Sequence, residues 1–233
     1  MAGRLMLEHV GIAYKRIDLL PAIHKPVLRL LGFPGTTVPA LTLNHRRIQG
    51  TLAISRVLGD LQLAPPLYPI DGQQRARVEQ AERWGEAALQ PVPRRLTWWA
   101  LARDRDALRS FAAGVWLHVP LGLTIKTAGP IIAVEQRLNH ADDATVRDDL
   151  AHLPQLLDHV DDLLATGTIV GQPWNAADYQ IATSVRLLLC FEDVRPVIEA
   201  RPSGTYAHRV VETFPGCIRA VIPPAWLHDL WTD

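Results

Sequence analysis

The chain has only two cysteines among its 233 residues, a scarcity that excludes a disulfide scaffold. Cys190 and Cys217 stand in neither a CxxC nor a Cys/His spacing. The sequence therefore predicts two reduced thiols packed as small apolar groups, in a reducing, cytoplasmic compartment. Long apolar runs are also missing. The most apolar run, residues 111–125, is 15 residues long and is interrupted by His118 and Pro120, too short to cross a bilayer as a helix. Residues 1–7 carry no signal-peptide core. The nine histidines, His118, His152 and His159 among them, include no HxxxH or HExxH pair, so metal catalysis has no sequence basis. No repeat at a solenoid period and no low-complexity tract is present.

The formal net charge is zero, from 24 Lys/Arg and 24 Asp/Glu, but it is unevenly placed. Residues 1–70 hold eight Lys/Arg against three Asp/Glu, a balance of +5 that leaves the remainder at −5. These basic residues are scattered, no more than two together, and form no stripe, so the front half favours a small acidic ligand over nucleic acid. With 48% hydrophobic residues and seven Trp, the chain can bury a substantial core, and its length suits two small domains.

Residues 5–9 read as the last turns of a helix stopped by Gly11. Residues 13–19 alternate, Lys15 excepted, and suggest a strand near a sheet edge. A short helix over 26–31 then ends at Gly32. Residues 39–43 and 46–49 flank Asn44-His45, a two-residue hairpin loop in which Asn takes positive φ. Thr51 opens an apolar-periodic helix through Leu52, Ile54, Val57 and Leu58 to a stop at Gly59, with its hydroxyl expected to cap the first amides.

Three prolines within residues 64–70 fit neither a helix nor a central strand and set a domain boundary. Beyond them, residues 73–89, 122–139, 142–165, 177–191 and 193–200 have helical character. The clearest period is Val146, Leu150, Leu153, Leu157, Val160, Leu164, one face of a helix that Pro154 is expected to bend without ending it. The chain thus reads as a small α/β unit joined to a helical domain.

Val38-Pro39-Ala40-Leu41, a hairpin, and then Thr51-Leu52-Ala53-Ile54 resemble the glutathione S-transferase signature, a V-P-A-L strand followed by a helix starting S-x-A-I. The resemblance implies α/β plus all-α architecture. An incomplete thioredoxin-like domain would span 1–61, a Pro-rich linker 62–72 and an all-helical domain 73–233. It also implies a cis bond before Pro39 that turns the backbone of Val38 toward the cysteinyl part of glutathione. The γ-glutamyl carboxylate would sit at Gly50 and Thr51, where free helix amides and the helix dipole attract anions. The family commonly has Glu or Gln where this chain has Gly50, and Gln49 stands one place earlier. Further along, Trp174-Asn175-Ala176-Ala177-Asp178-Tyr179 offers Asn175 as an N-cap and Asp178 three residues on, similar to the family's S/T-x-x-D capping motif. Asp178 is therefore expected to be structural.

A domain of this family opens with a strand, a loop carrying a catalytic Ser, Tyr or Cys, and then the helix matched to residues 5–9. The first two elements have no counterpart here, nor has the residue that would stabilise the glutathione thiolate. Tyr14 and Ser55 match by type only. Three arrangements accommodate this: a chain shortened relative to the working protein, which is the expectation; a strand supplied by another segment or subunit; or a partial fold.

The function the resemblance implies is conjugation of glutathione to a hydrophobic electrophile in a homodimer, provided the working protein has the missing catalytic element, with no metal. Trp98, Trp99 and Trp116 are candidates for the second-substrate pocket, with core packing as their default. The alternative is a non-catalytic glutathione-binding or interaction protein. A peroxidase or reductase would need a Cys near the first helix, and neither Cys190 nor Cys217 lies there.

Overall fold

The computed structural model describes residues 1–19, 24–112, 120–169 and 173–228. Helices dominate, joined to one two-stranded sheet. The front part contains α1 (Ala2–His9), α2 (His24–Leu30), β1 (Ala40–Leu43), β2 (Arg46–Gln49) and α3 (Thr51–Asp60). α1 and α2 end in the same way. Gly11 and Gly32 take φ of +70° and +74°, and the next residue donates back to the helix, Ile12 N–H to Leu7 O and Phe33 N–H to Leu28 O, each at 2.9 Å. This arrangement satisfies carbonyls that the helix end would otherwise orphan.

The hairpin has the register read from sequence, with Leu43 opposite Arg46 and Ala40 opposite Gln49. Asn44 and His45 both take positive φ, which suits the twist of the flanking strands. Among the described residues no third strand pairs with β1.

Several expectations are corrected. Residues 13–19 form no strand and run as irregular chain; alternation without a paired neighbour does not make a ladder. Gly59 is not the end of α3, which continues to Asp60. Its role is close packing, because a Cβ there would stand 2.6 Å from the Tyr68 ring. Thr51 does not cap α3: it is the first helical residue, Gly50 is the N-cap, and no side chain accepts from the first amides.

The remaining helices are α4 (Gly72–Trp84), α5 (Pro91–Arg103), α6 (Leu108–Phe111), α7 (Leu121–Thr127), α8 (Gly129–Leu138), α9 (Asp143–Ala151), α10 (Leu153–Ala165), α11 (Ala176–Leu188), α12 (Arg195–Glu199) and α13 (Pro202–Val210). α4 passes into α5 through a π turn, Gly85–Leu89, closed by Gln90 N–H to Gly85 O at 2.9 Å. Pro91 and Pro93, which concealed α5 from a sequence reading, lie in its first turn, where a missing N–H costs little. Residues 142–165 form two helices parted at His152, and the expected single bent helix is corrected accordingly. The periodic face itself holds, since Val146, Leu150, Leu153, Leu157 and Val160 are all fully buried.

α11 is the central helix, with ten of its residues buried, packed against α1, α4, α5 and α13. Gly85 lets the π turn approach it, since a Cβ there would stand 3.0 Å from Ile181. Between α3 and α4, the buried Glu82 accepts from Arg56 Nη1 and from Tyr68 OH, each at 2.8 Å. Burial raises the pKa of Glu82, opposed by Ser55, Arg56 and Tyr68. Among the described residues no helix is long and apolar enough to cross a membrane.

α1 meets α11 through His9 Nδ1 and Tyr179 OH, 2.9 Å apart. Burial lowers the pKa of His9, with the Pro66 and Pro65 carbonyls acting the other way. A base whose folded pKa is lowered binds its proton more readily when unfolded, so its contribution to stability is full above the unfolded pKa, about 6.5, and falls on acidification below it. Denaturant unfolding at a series of pH values from 8 to 5 is expected to show this loss, and His9→Gln to flatten it. An unchanged slope in the variant would remove His9 from the account.

Candidate functional site

A cleft of about 710 Å³ separates the front part from α5 and α8. Its near wall holds His24 and Lys25 at the start of α2, the loop from Thr36 to Pro39, and Gly50 with Thr51 at the start of α3. All four site residues singled out from sequence, Val38, Pro39, Gly50 and Thr51, thus line one wall.

The side chain of Gln49 builds this wall. Its Oε1 accepts from Gly35 N–H at 2.6 Å and its Nε2 donates to Thr37 O at 3.0 Å, fastening the loop to β2. Gln49 is committed to the backbone and does not line the cleft. The Val38–Pro39 peptide bond is cis. Pro39 O accepts from Gly50 N–H at 3.0 Å, one pair beyond the hairpin ladder. Val38 is 57% exposed, and its backbone N–H and C=O bond to nothing among the described residues.

Gly50 has φ of +86° and ψ of 150°, a conformation costly for residues with a Cβ. The first intrahelical donor is Ile54 N–H, to Gly50 O at 3.1 Å. The amides of Thr51, Leu52 and Ala53 therefore have no acceptor among the described residues, nor has the Thr51 hydroxyl. Free amides at the start of a ten-residue helix attract a carboxylate through direct donation and through the helix dipole.

The far wall carries Glu86 from the π turn and Gln90, Arg94 and Trp98 from α5, together with Glu135, Leu138 and Asn139 around the end of α8. Glu86, Gln90, Arg94 and Trp98 recur at steps of four and share one helix face. That spacing is visible in the sequence, but the neighbouring prolines hid the helix it belongs to. Arg94 Nη2 donates to Gln90 Oε1 at 2.9 Å. Burial lowers the pKa of Arg94, with Glu86 and Glu135 pushing it back up; an arginine remains the cation regardless.

Other candidates separate from the cleft. Trp99 is core, its Nε1–H donating to Asp143 Oδ1 at 2.8 Å and its ring packed near Trp226. Trp116 and His118 lie outside the described residues. Tyr14 bonds Glu8 and Arg4, and Ser55 is buried with its Oγ donating to Leu52 O at 2.9 Å. Cys190 is buried but Cys217 is exposed, which corrects the expectation that both pack as apolar groups. No protein-family profile matches this chain, and no curated protein does.

Proposed function

We propose that this cleft binds glutathione and that the protein is a glutathione S-transferase-like member of the family its sequence resembles, with a thioredoxin-like front part and a helical second domain. One observation carries the reading. The free N–H and C=O of Val38 and the uncapped start of α3 at Gly50 and Thr51 meet on a single cleft wall. That pairing offers two kinds of group to an extended peptide with a carboxylate at one end. Val38 can pair with its amide backbone as a strand would, and the α3 amides can receive the carboxylate. Lys25, on the same wall, supplies a cation suited to a second carboxylate.

The reaction proposed is attack of the glutathione thiolate on an electrophile held against the far wall. Trp98 and Leu138 form its apolar part and suit the flat hydrophobic portion of such a molecule. Glu86, Arg94 and Glu135 add charge beside it, which favours an electrophile that also carries polar groups.

The test is retention on glutathione-agarose with elution by free glutathione, followed by a conjugation assay against an aromatic halide. Thr51→Ala removes one hydroxyl donor and leaves the helix start intact. It is expected to weaken glutathione binding about ten-fold, near 1.4 kcal/mol, as for one hydrogen bond to a charged group, with an unchanged circular dichroism spectrum. Absence of saturable binding by the wild type would overturn the reading. Binding without turnover would select the non-catalytic glutathione-binding protein.

A further inference from the structure

Away from the cleft, the chain that follows α13 returns to lie beside the end of α11. Phe191 and Ile218 form a parallel bridge, with Ile218 N–H donating to Cys190 O at 2.8 Å and Glu192 N–H to Ile218 O at 3.0 Å. One residue earlier on each segment stand Cys190 and Cys217. Because the N–H of Ile218, next to Cys217, bonds the Cys190 carbonyl itself, the two cysteines' backbones lie about as close as paired strands, about 5 Å, within the Cα range that a disulfide accepts. Two cysteines 27 positions apart in the chain are therefore neighbours in space.

We propose that Cys190 and Cys217 are an oxidisable dithiol that closes to an intramolecular disulfide on exposure to a hydroperoxide. The two sulfurs differ in ways that assign their roles. Cys217 is exposed, and its backbone is fixed by Ser110, whose Oγ accepts from Cys217 N–H at 2.8 Å and donates to Cys217 O at 3.0 Å. Arg195 Nη2 lies 3.9 Å from its sulfur, and Glu192 Oε1 accepts from the thiol at 3.5 Å. Cys190 is 4% exposed, and burial pushes its thiol up to about 11, so it stays protonated in the reduced protein.

The two sulfurs lean apart along the paired segments, Cys190 Sγ toward Pro215 O at 3.8 Å and Cys217 Sγ toward Glu192. The chemistry balances. The Cys217 thiolate attacks one peroxide oxygen, the O–O bond breaks, and the sulfur becomes a sulfenic acid as the departing alkoxide or hydroxide takes a proton. The Cys190 sulfur then attacks the sulfenic sulfur, and the S–O bond breaks. Its hydroxide leaves with the thiol proton as water, forming the S–S bond. The peroxide gains two electrons and the thiol pair loses two.

The wild-type chain, titrated with hydrogen peroxide, is expected to lose the mass of two hydrogens. Digestion should yield one peptide pair joined through Cys190 and Cys217, restored by dithiothreitol. In the reduced protein, alkylation of Cys217 should outpace that of the buried Cys190 by about ten-fold or more, following exposure. Cys190→Ser should leave a dimedone-reactive sulfenic acid on Cys217, and Cys217→Ser should leave Cys190 alkylatable after peroxide and unfolding. Two free thiols after peroxide, a sulfinic acid on Cys217 with no cross-link, or a disulfide joining two chains would each overturn the proposal.

Discussion

Asp178→Ala is expected to lower stability by about 3 kcal/mol, because it removes a buried carboxylate that two donors share. Asp178 is fully buried. Its Oδ2 accepts from Asn175 N–H at 2.7 Å, its Oδ1 accepts from Tyr206 OH at 3.0 Å, and Asn175 caps the same helix start by accepting from Ala177 and Asp178 N–H. Truncation leaves the Asn175 amide without its acceptor and the Tyr206 hydroxyl with only the Asp178 backbone carbonyl at 3.1 Å. Each lost partner costs about 1–3 kcal/mol, the Asn175 bond being the lost half of the capping box. For a chain of this size that corresponds to a fall in Tm of about 10 °C. Asp178→Asn keeps one acceptor oxygen and should fall between the variant and the wild type. Chemical denaturation of the three proteins measures the series; a loss below about 1 kcal/mol in Asp178→Ala would show that the network is not what seats α11.

The same residues show what a sequence can and cannot disclose about this fold. Asn175 and Asp178 were legible because a capping box is local: both partners lie within one turn, and the residue types are those the chemistry requires. The Asn44-His45 turn was legible for the same reason, as was the buried face from Val146 to Val160, whose period survives the break at His152. Elements that depend on distant partners were not. Residues 13–19 alternate like a strand but find no ladder. Gly59 looked like a stop, although it answers to Tyr68 across a Pro-rich connection. In the cleft, Val38, Pro39, Gly50 and Thr51 of the near wall belong to one local motif, whereas His24 and Lys25 come from a separate helix that the motif does not reach. The far wall depends on the π turn that carries Glu86 running directly into α5 with Arg94 and Trp98, and Pro91 and Pro93 argue locally against that. Register in a parallel bridge is the extreme case, since nothing local relates Cys190 to Cys217.

α13 has no helix signal at its start, since Pro202-Ser203-Gly204 is made of turn-forming types, and its glycine gives the other large effect. Gly204 lies inside α13, where a Cβ would stand 2.1 Å from Ile198 O, 2.8 Å from Ile198 C and 3.0 Å from Glu199 Cα. All three atoms are backbone of α12, so no side chain can swing aside, and the two helices must separate. Separation would disturb contacts that hold α13 at other points: Ser203 N–H on Asp161 Oδ1 at 2.8 Å, Arg201 Nε on Asp161 Oδ2 at 3.0 Å, and Tyr206 on Asp178. Gly204→Ala is expected to cost about 4 kcal/mol or more, the range reserved for core strain that cannot relax, a large share of the 5–15 kcal/mol typical of a folded domain. Gly122→Ala is the control. Gly122 also lies in a helix, but nothing stands within 4 Å of its added Cβ, so helix propensity alone should leave stability unchanged or raised by up to about 1 kcal/mol. If both alanine variants unfold at the wild-type midpoint, α12 and α13 do not pack as closely as the Gly204 contact requires.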